Sequence, residues 1–287
     1  MRLEDGRESG NVEDRRGSRR GGLAIGGGIG SVVLVVIALL LGVDPAVMLD
    51  QAGMTQGGAP AATERSERAA PPANDEGARF VRRVLAETED VWNPIFQQLG
   101  RQYQEPRLVL FSGAVESACG MAQAAVGPFY CPADSRVYID LDFLAQLQRT
   151  IGAPGDFAAA YVIAHEVGHH VQNQLGILRR AEEARRGGDR AAANAVQVRI
   201  ELQADCLAGL WARRAQDSRG ILEPGDIEEG LNAAAAVGDD RLQQSAGRRV
   251  VPESFTHGSA AQRMRWFKAG LDTGRLDACD TFAAVRP

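Results

Sequence analysis

Between Gly21 and Val43 the chain runs for 23 residues without a charged side chain. As a helix, that stretch would be about 34 Å long, enough to cross a hydrocarbon core of about 30 Å with slight tilt. A secretory signal has a shorter apolar region and an Ala-x-Ala-like cleavage site, and no such site follows Leu41. The span therefore predicts an uncleaved single-pass anchor; a cleaved signal or a buried core helix is the alternative. Arg15, Arg16, Arg19 and Arg20 precede it, and Asp44 and Asp50 follow. The positive-inside bias then predicts a cytoplasmic tail over residues 1–20, an anchor over 21–43, and everything beyond on the extracytoplasmic side, periplasmic or cell-surface. Gly22, Gly26 and Gly30 fall on one face of that helix, where two backbones can approach closely. Self-association through this face is the expectation, against the plainer reading of a glycine-rich anchor.

Residues 44–77 read as a linker. Gly57, Gly58, Pro60, Pro71 and Pro72 mix with alanines and alternating charges, without apolar periodicity. The rest, 78–287, reads as one domain. With 32 basic against 37 acidic residues the net charge is −5. That argues against a nucleic-acid partner, which calls for a basic face.

The domain opens on a helical pattern, with Val81, Val84, Leu85, Thr88 and Trp92 recurring at turn spacing; Pro94 is expected to break or restart it. Leu108 to Phe111 is a short apolar run, and Val137, Ile139 and Leu141 alternate with Tyr138, Asp140 and Asp142 as in a half-buried strand. Between them Gly120, Gly127, Pro128 and Pro132 mark a hairpin-like excursion. From Asp156 onward the pattern is almost all helix. The expected fold class is α+β: an N-terminal transmembrane helix, then a mostly helical domain with a small antiparallel sheet.

Chemistry enters at His165-Glu-Val-Gly-His169, on a helix whose apolar face includes Phe157, Ala160, Tyr161, Ala164 and Val171. Histidines four apart stack on one face and can point at one ion. Glu166 is turned by about 100° from His165, within reach of a water on that ion but not placed as a third ligand. This is the zinc-hydrolase pattern H-E-x-x-H; two chance histidines on a solvated face are the alternative. His170 lies off the metal face. Mid-helix Gly168 costs about 1 kcal/mol relative to alanine, which suggests close approach by another backbone.

Two histidines leave the site incomplete. A third histidine six residues after His169, with an intervening glycine, is excluded because Gln172 and Leu175 hold those positions. Glu201-Leu-Gln-Ala-Asp205 supplies a carboxylate instead: Glu201 as third ligand and Asp205 to fix the tautomer of a ligand histidine. Three protein ligands and a water make a catalytic zinc site. An ordinary helix with an acidic face is the plainer reading of E-x-x-x-D.

Together these residues resemble the thermolysin-like, Glu-ligand zinc peptidases. The stretches Asn11 to Gly17, Ser117 to Gly120, Gly127 to Pro132, Val137 to Asp140 and Ser254 to Ser259 resemble, more closely, bacterial membrane-anchored neutral zinc metallopeptidases. The resemblance implies a zincin-like domain and peptide-bond hydrolysis at one Zn2+ per chain.

His257 precedes a helix opened by a Ser259/Gln262 capping box. It is a candidate catalytic side chain, with a merely structural histidine as the alternative. Arg263 is a weaker candidate for substrate binding or for supporting the ligands. Cys119 and Cys131 flank the hairpin and can pair locally, which leaves Cys206 and Cys279 to tie the ligand helix to the C-terminal segment; four free thiols are the alternative. Cys206, about 140° round the helix from Glu201, does not suit the metal. The reading is a membrane-anchored zinc endopeptidase with Glu166 as general base, acting on a peptide or protein and using strands within 108–141 as an edge for it. A zinc-containing binding module for a membrane or envelope protein is the alternative, and it has no need of Glu166.

Overall fold

The structure, a computed structural model, describes residues 1–16, 75–123, 127–144 and 155–284. Its sheet has the order β1-β2-β6-β5, formed by Val12–Asp14, Arg107–Phe111, Arg136–Asp140 and Phe129–Cys131. β1 runs parallel to β2, β2 parallel to β6, and β5 antiparallel to β6. A separate hairpin pairs β3 (Ala114–Ser117) with β4 (Gly120–Gln123). The sheet is therefore mixed rather than antiparallel.

Side-chain alternation divides the core. Leu108, Leu110, Val137 and Ile139 join the main core with the helices, whereas Val109, Phe111, Tyr138, Val115 and Cys131 form a second cluster. That cluster makes β6 fully buried rather than half-buried: the hairpin, tied to β5 by Cys119–Cys131, covers the second face, and Phe129 stacks on Tyr138 at 4.7 Å.

The helices are α1 (Glu76–Gln98), α2 (Phe157–Gln174), α3 (Ile177–Arg186), α4 (Arg190–Arg219), α5 (Asp226–Ala236), α6 (Asp239–Ser245) and α7 (Ala260–Thr273). α1 passes through Pro94 without a break. Asp90, Asn93 and Pro94 lie on its solvent side, where water can serve the carbonyl that loses its partner. The Ser259/Gln262 capping box forms at the start of α7. α4 and α7 cross in backbone contact: a Cβ on Gly209 would lie 2.0 Å from the Phe267 carbonyl oxygen, and one on Gly270 1.9 Å from that of Cys206. The Cys206–Cys279 disulfide closes the same region.

Two expectations about the N-terminal part are corrected. Among the described residues no helix is long and apolar enough to cross a membrane, so the fold class and localisation lose their transmembrane helix. The span 21–43, with its Gly22/Gly26/Gly30 face, lies outside the described residues. Residues 1–16, expected as a cytoplasmic tail, pack on the domain instead. Met1 and Leu3 are buried, Arg7 pairs with Glu89 at 2.7 Å, and Val12 registers with Leu108. β1 and β2, paired in one sheet, lie on the same side of any membrane.

Candidate active site

α2 carries His165, Glu166 and His169, and α4 carries Glu201 and Asp205. The two helices meet where Gly168 faces Ala204: a Cβ on Gly168 would stand 3.1 Å from the Ala204 oxygen and 3.2 Å from its Cα. The missing side chain therefore sets the depth at which the Glu201 turn approaches the histidine pair.

His165 Nε2 lies 3.2 Å and His169 Nε2 3.6 Å from Glu201 Oε2. One donor atom from each of the three residues falls within 4.8 Å of the others. Zinc bonds of about 2.0–2.1 Å in a tetrahedron put neighbouring ligand atoms about 3.3 Å apart. The donor set fits such an ion in spacing and in type, two imidazoles and a carboxylate. It also fits in charge. Burial pushes the His165 imidazole down, but its bonds to Asp205 and Glu201 outweigh that and bring its pKa to about 9. His169 is likewise lifted, against burial, by Glu201. Burial pushes Glu201 up, but His169 and the bond to His165 hold it well below the usual carboxylate range. The cage draws positive charge to its centre, and a divalent cation meets that demand.

Behind His165 stands a buried network. Asp205 Oδ1 lies 2.9 Å from His165 Nδ1, accepts from Arg263 NH2 at 2.8 Å, and accepts a short bond from the Tyr161 hydroxyl. Arg263 Nε donates to Asp205 Oδ2 at 2.8 Å, and its NH2 reaches the Tyr161 oxygen at 3.2 Å. Arg263 thus holds Asp205 behind His165 from inside the core. Glu166 is buried beside the cage, and burial pushes its carboxyl up against the opposing charges of His169 and His165.

His257 sits on the turn before α7 with its side chain 44% exposed. Asp239, at the start of α6, pins that turn: its Oδ2 accepts from the backbone N–H of Thr256, His257 and Gly258 at 2.8, 2.7 and 3.0 Å. Its Oδ1 lies 3.2 Å from His257 Nδ1. Burial lowers the His257 pKa, but Asp239 and the charge of Glu201 raise it overall.

His170 is buried. Its Nε2 donates to the Gln104 carbonyl at 2.6 Å, and its Nδ1 accepts from the Tyr130 hydroxyl at 3.1 Å; Asn173 also donates to that hydroxyl, at 2.8 Å. These bonds tie edge strand β5 to α2. Burial holds the His170 pKa down at about 4. The disulfides Cys119–Cys131 and Cys206–Cys279 form as paired in the sequence reading.

Tyr161, Gln172 and Asp239 escaped the sequence reading. Tyr161 registers there only as part of an apolar stripe, and Gln172 only as a position lacking a glycine. Asp239 lies 18 residues from His257, with no local pattern to join them.

A family model described as "Putative neutral zinc metallopeptidase" matches residues 1–282. The chain is 47% identical over 289 residues to "Uncharacterized protein YpfJ" of Escherichia coli (strain K12), covering 98% of this chain and 99% of the relative. It is 48% identical over 264 residues to "Uncharacterized protein Rv2575" of Mycobacterium tuberculosis (strain ATCC 25618 / H37Rv), covering 86% of each. "Uncharacterized protein Mb2605" of Mycobacterium bovis (strain ATCC BAA-935 / AF2122/97) matches to the same extent. No solved structure matches the chain.

Proposed function

The chain belongs to the neutral zinc metallopeptidase family, and from that premise we propose a zinc-dependent endopeptidase whose metal is held by His165, His169 and Glu201. The convergence of these three side chains on one point, with Glu166 next to His165 on α2, carries the reading. When bound, zinc polarises a carbonyl and lowers the pKa of a coordinated water to about 7. The remaining chemistry is the chain's own. Glu166 takes the proton of the attacking water on its carboxylate and delivers it to the leaving amine. Its raised pKa suits both halves of that transfer. Asp205, held by Arg263 and Tyr161, keeps the proton of His165 on Nδ1 and so leaves Nε2 as the donor atom. His257, oriented by Asp239, offers Nε2–H to the carbonyl oxygen as negative charge develops on it. The free edge of β5, tied to α2 through Tyr130 and His170, accepts an extended peptide by strand addition.

The test pairs zinc analysis with cleavage of a peptide library. One zinc per chain is expected in the wild type and in Glu166→Gln, with hydrolysis lower by about 100- to 10,000-fold in the variant. His165→Ala, His169→Ala and Glu201→Ala should each lose the metal. A Glu166→Gln protein that cleaves at the wild-type rate would refute the assignment, as would full zinc occupancy in Glu201→Ala.

A further inference from the structure

His169, unlike His165, has no carboxylate behind it. Its Nδ1 faces the side-chain amide of Gln172 at 2.8 Å, and Gln172 is fully buried, with 0% exposure. An amide can turn either its oxygen or its nitrogen toward a ring nitrogen, so the sense of this contact has to come from its other partners.

Those partners permit one arrangement. At the far end Gln203 lies 2.9 Å from the backbone carbonyl of Cys279, and a carbonyl oxygen only accepts. Gln203 therefore places its nitrogen there and its oxygen toward Gln172. Gln172 lies 2.8 Å from the Ile200 carbonyl and 3.0 Å from Gln203 Oε1, both acceptors. It therefore places its nitrogen toward them and its oxygen toward His169. His169 Nδ1 must then carry a proton, so Nε2, on the Glu201 side, is the nitrogen available to a metal. The polarity of all three links follows from one backbone carbonyl, and the Cys206–Cys279 disulfide holds that carbonyl's residue to α4.

We propose that Gln172 is a positioning residue for His169, the middle member of an amide relay that runs from the Cys279 carbonyl through Gln203 and fixes which nitrogen His169 offers to the metal. The proposal rests on the zinc-site reading above. A neutral relay suits this side of the site. Glu166, Glu201 and Asp205 already bring three carboxylates into the buried cluster against the single guanidinium of Arg263. A fourth buried charge behind His169 would need a counter-ion of its own. An amide fixes the tautomer without adding charge.

Chelator competition on the full chain measures zinc affinity and release for wild type, Gln172→Met and Gln203→Met, with His169→Ala as the metal-loss control. Gln172→Met keeps the volume and removes all three hydrogen-bonded contacts, to His169, Ile200 and Gln203. It should weaken zinc binding about 10- to 100-fold, the usual cost of losing a group that orients a ligand histidine. Gln203→Met leaves the His169 contact and the Ile200 anchor in place, so its loss should be smaller and in the same direction. Imidazole 15N shifts of the zinc-loaded wild type give a readout independent of any variant. His169 should carry its proton on Nδ1 and the metal on Nε2. The reverse assignment overturns the relay, as does a folded Gln172→Met protein with wild-type zinc affinity. A wild-type chain that takes up no zinc overturns the metal-site reading itself, which is a different result.

Discussion

Gly168→Ala sets two effects against each other at the point where the ligand helices cross. Alanine in mid-helix is favoured over glycine by about 1 kcal/mol. Its methyl group, however, would stand 3.1 Å from the Ala204 oxygen, 3.2 Å from the Ala204 Cα and 3.5 Å from its Cβ. Relief to ordinary contact needs a few tenths of an ångström, and two of the three atoms are α4 backbone, so the helix itself has to yield. Overpacking of this kind costs about 1–3 kcal/mol. The metal-free protein should therefore lose about 0–2 kcal/mol. The site should lose more in proportion, because Ala204 lies between Glu201 and Asp205 and any retreat of α4 carries both away from the histidines. Zinc affinity should fall about tenfold, at the lower end of what misplacing an orienting group costs. The assay is thermal unfolding of the chelator-treated protein beside chelator competition for zinc. If the variant gains the few degrees that helix propensity alone predicts and binds zinc as tightly as wild type, the close crossing does not control the site.

Four further outcomes follow from contacts described above. Arg263→Met leaves Asp205 buried without its main counter-ion and should cost about 3–5 kcal/mol in denaturant unfolding, with partial recovery when Asp205→Asn is added. His257→Ala should keep its zinc and its melting temperature while turnover drops about 100- to 1000-fold; loss of zinc would make His257 a ligand instead. His170 has a folded pKa of about 4 against an ordinary 6.5, so below 6.5 the unfolded chain binds a proton that the folded one refuses. The wild type should then lose about 3 kcal/mol relative to His170→Gln as pH falls from 6.5 to 4, and stability-versus-pH curves of the two proteins that run parallel would refute it. Opening Cys206–Cys279 by the double Ser substitution should cost about 4 kcal/mol and opening Cys119–Cys131 about 3, because the first closes a loop of 73 residues and the second one of 12.

The parts of the site legible in the sequence are those built on a single helix. His165, Glu166 and His169 follow from helical periodicity, and Glu201 with Asp205 from the same spacing once a third ligand is required. Gly168 was readable as a close approach because glycine in mid-helix has a known cost. Contacts made across elements left no such trace. Asp239 meets His257 only because α6 folds back against the turn before α7, and Gln172 matters only because Gln203 and Ile200 come from α4. Pro94 misled because its effect on a helix depends on which side faces water. The sheet misled because alternation in β6 does not report the direction of its neighbours. Positive-inside reasoning treated Arg15 and Arg16 as topology signals, whereas Arg15 pairs with Glu13 and Arg16 with Asp14 and Asp75 inside the folded domain.

That last pairing has a consequence for how the chain is made. Arg16 NH2 touches Asp75 Oδ2 at 2.6 Å, so the segment that ends at Arg16 and the one that starts at Asp75 meet at one corner of the domain. β1 is synthesised well before β2, its neighbour in the sheet among the described residues. Its hydrogen bonds close a longer loop than those of the other strand pairings, and long-range parallel pairings of this kind are slow to form. β1 must wait until β2 has been produced. A strand made before its partner is thus placed only once that partner exists.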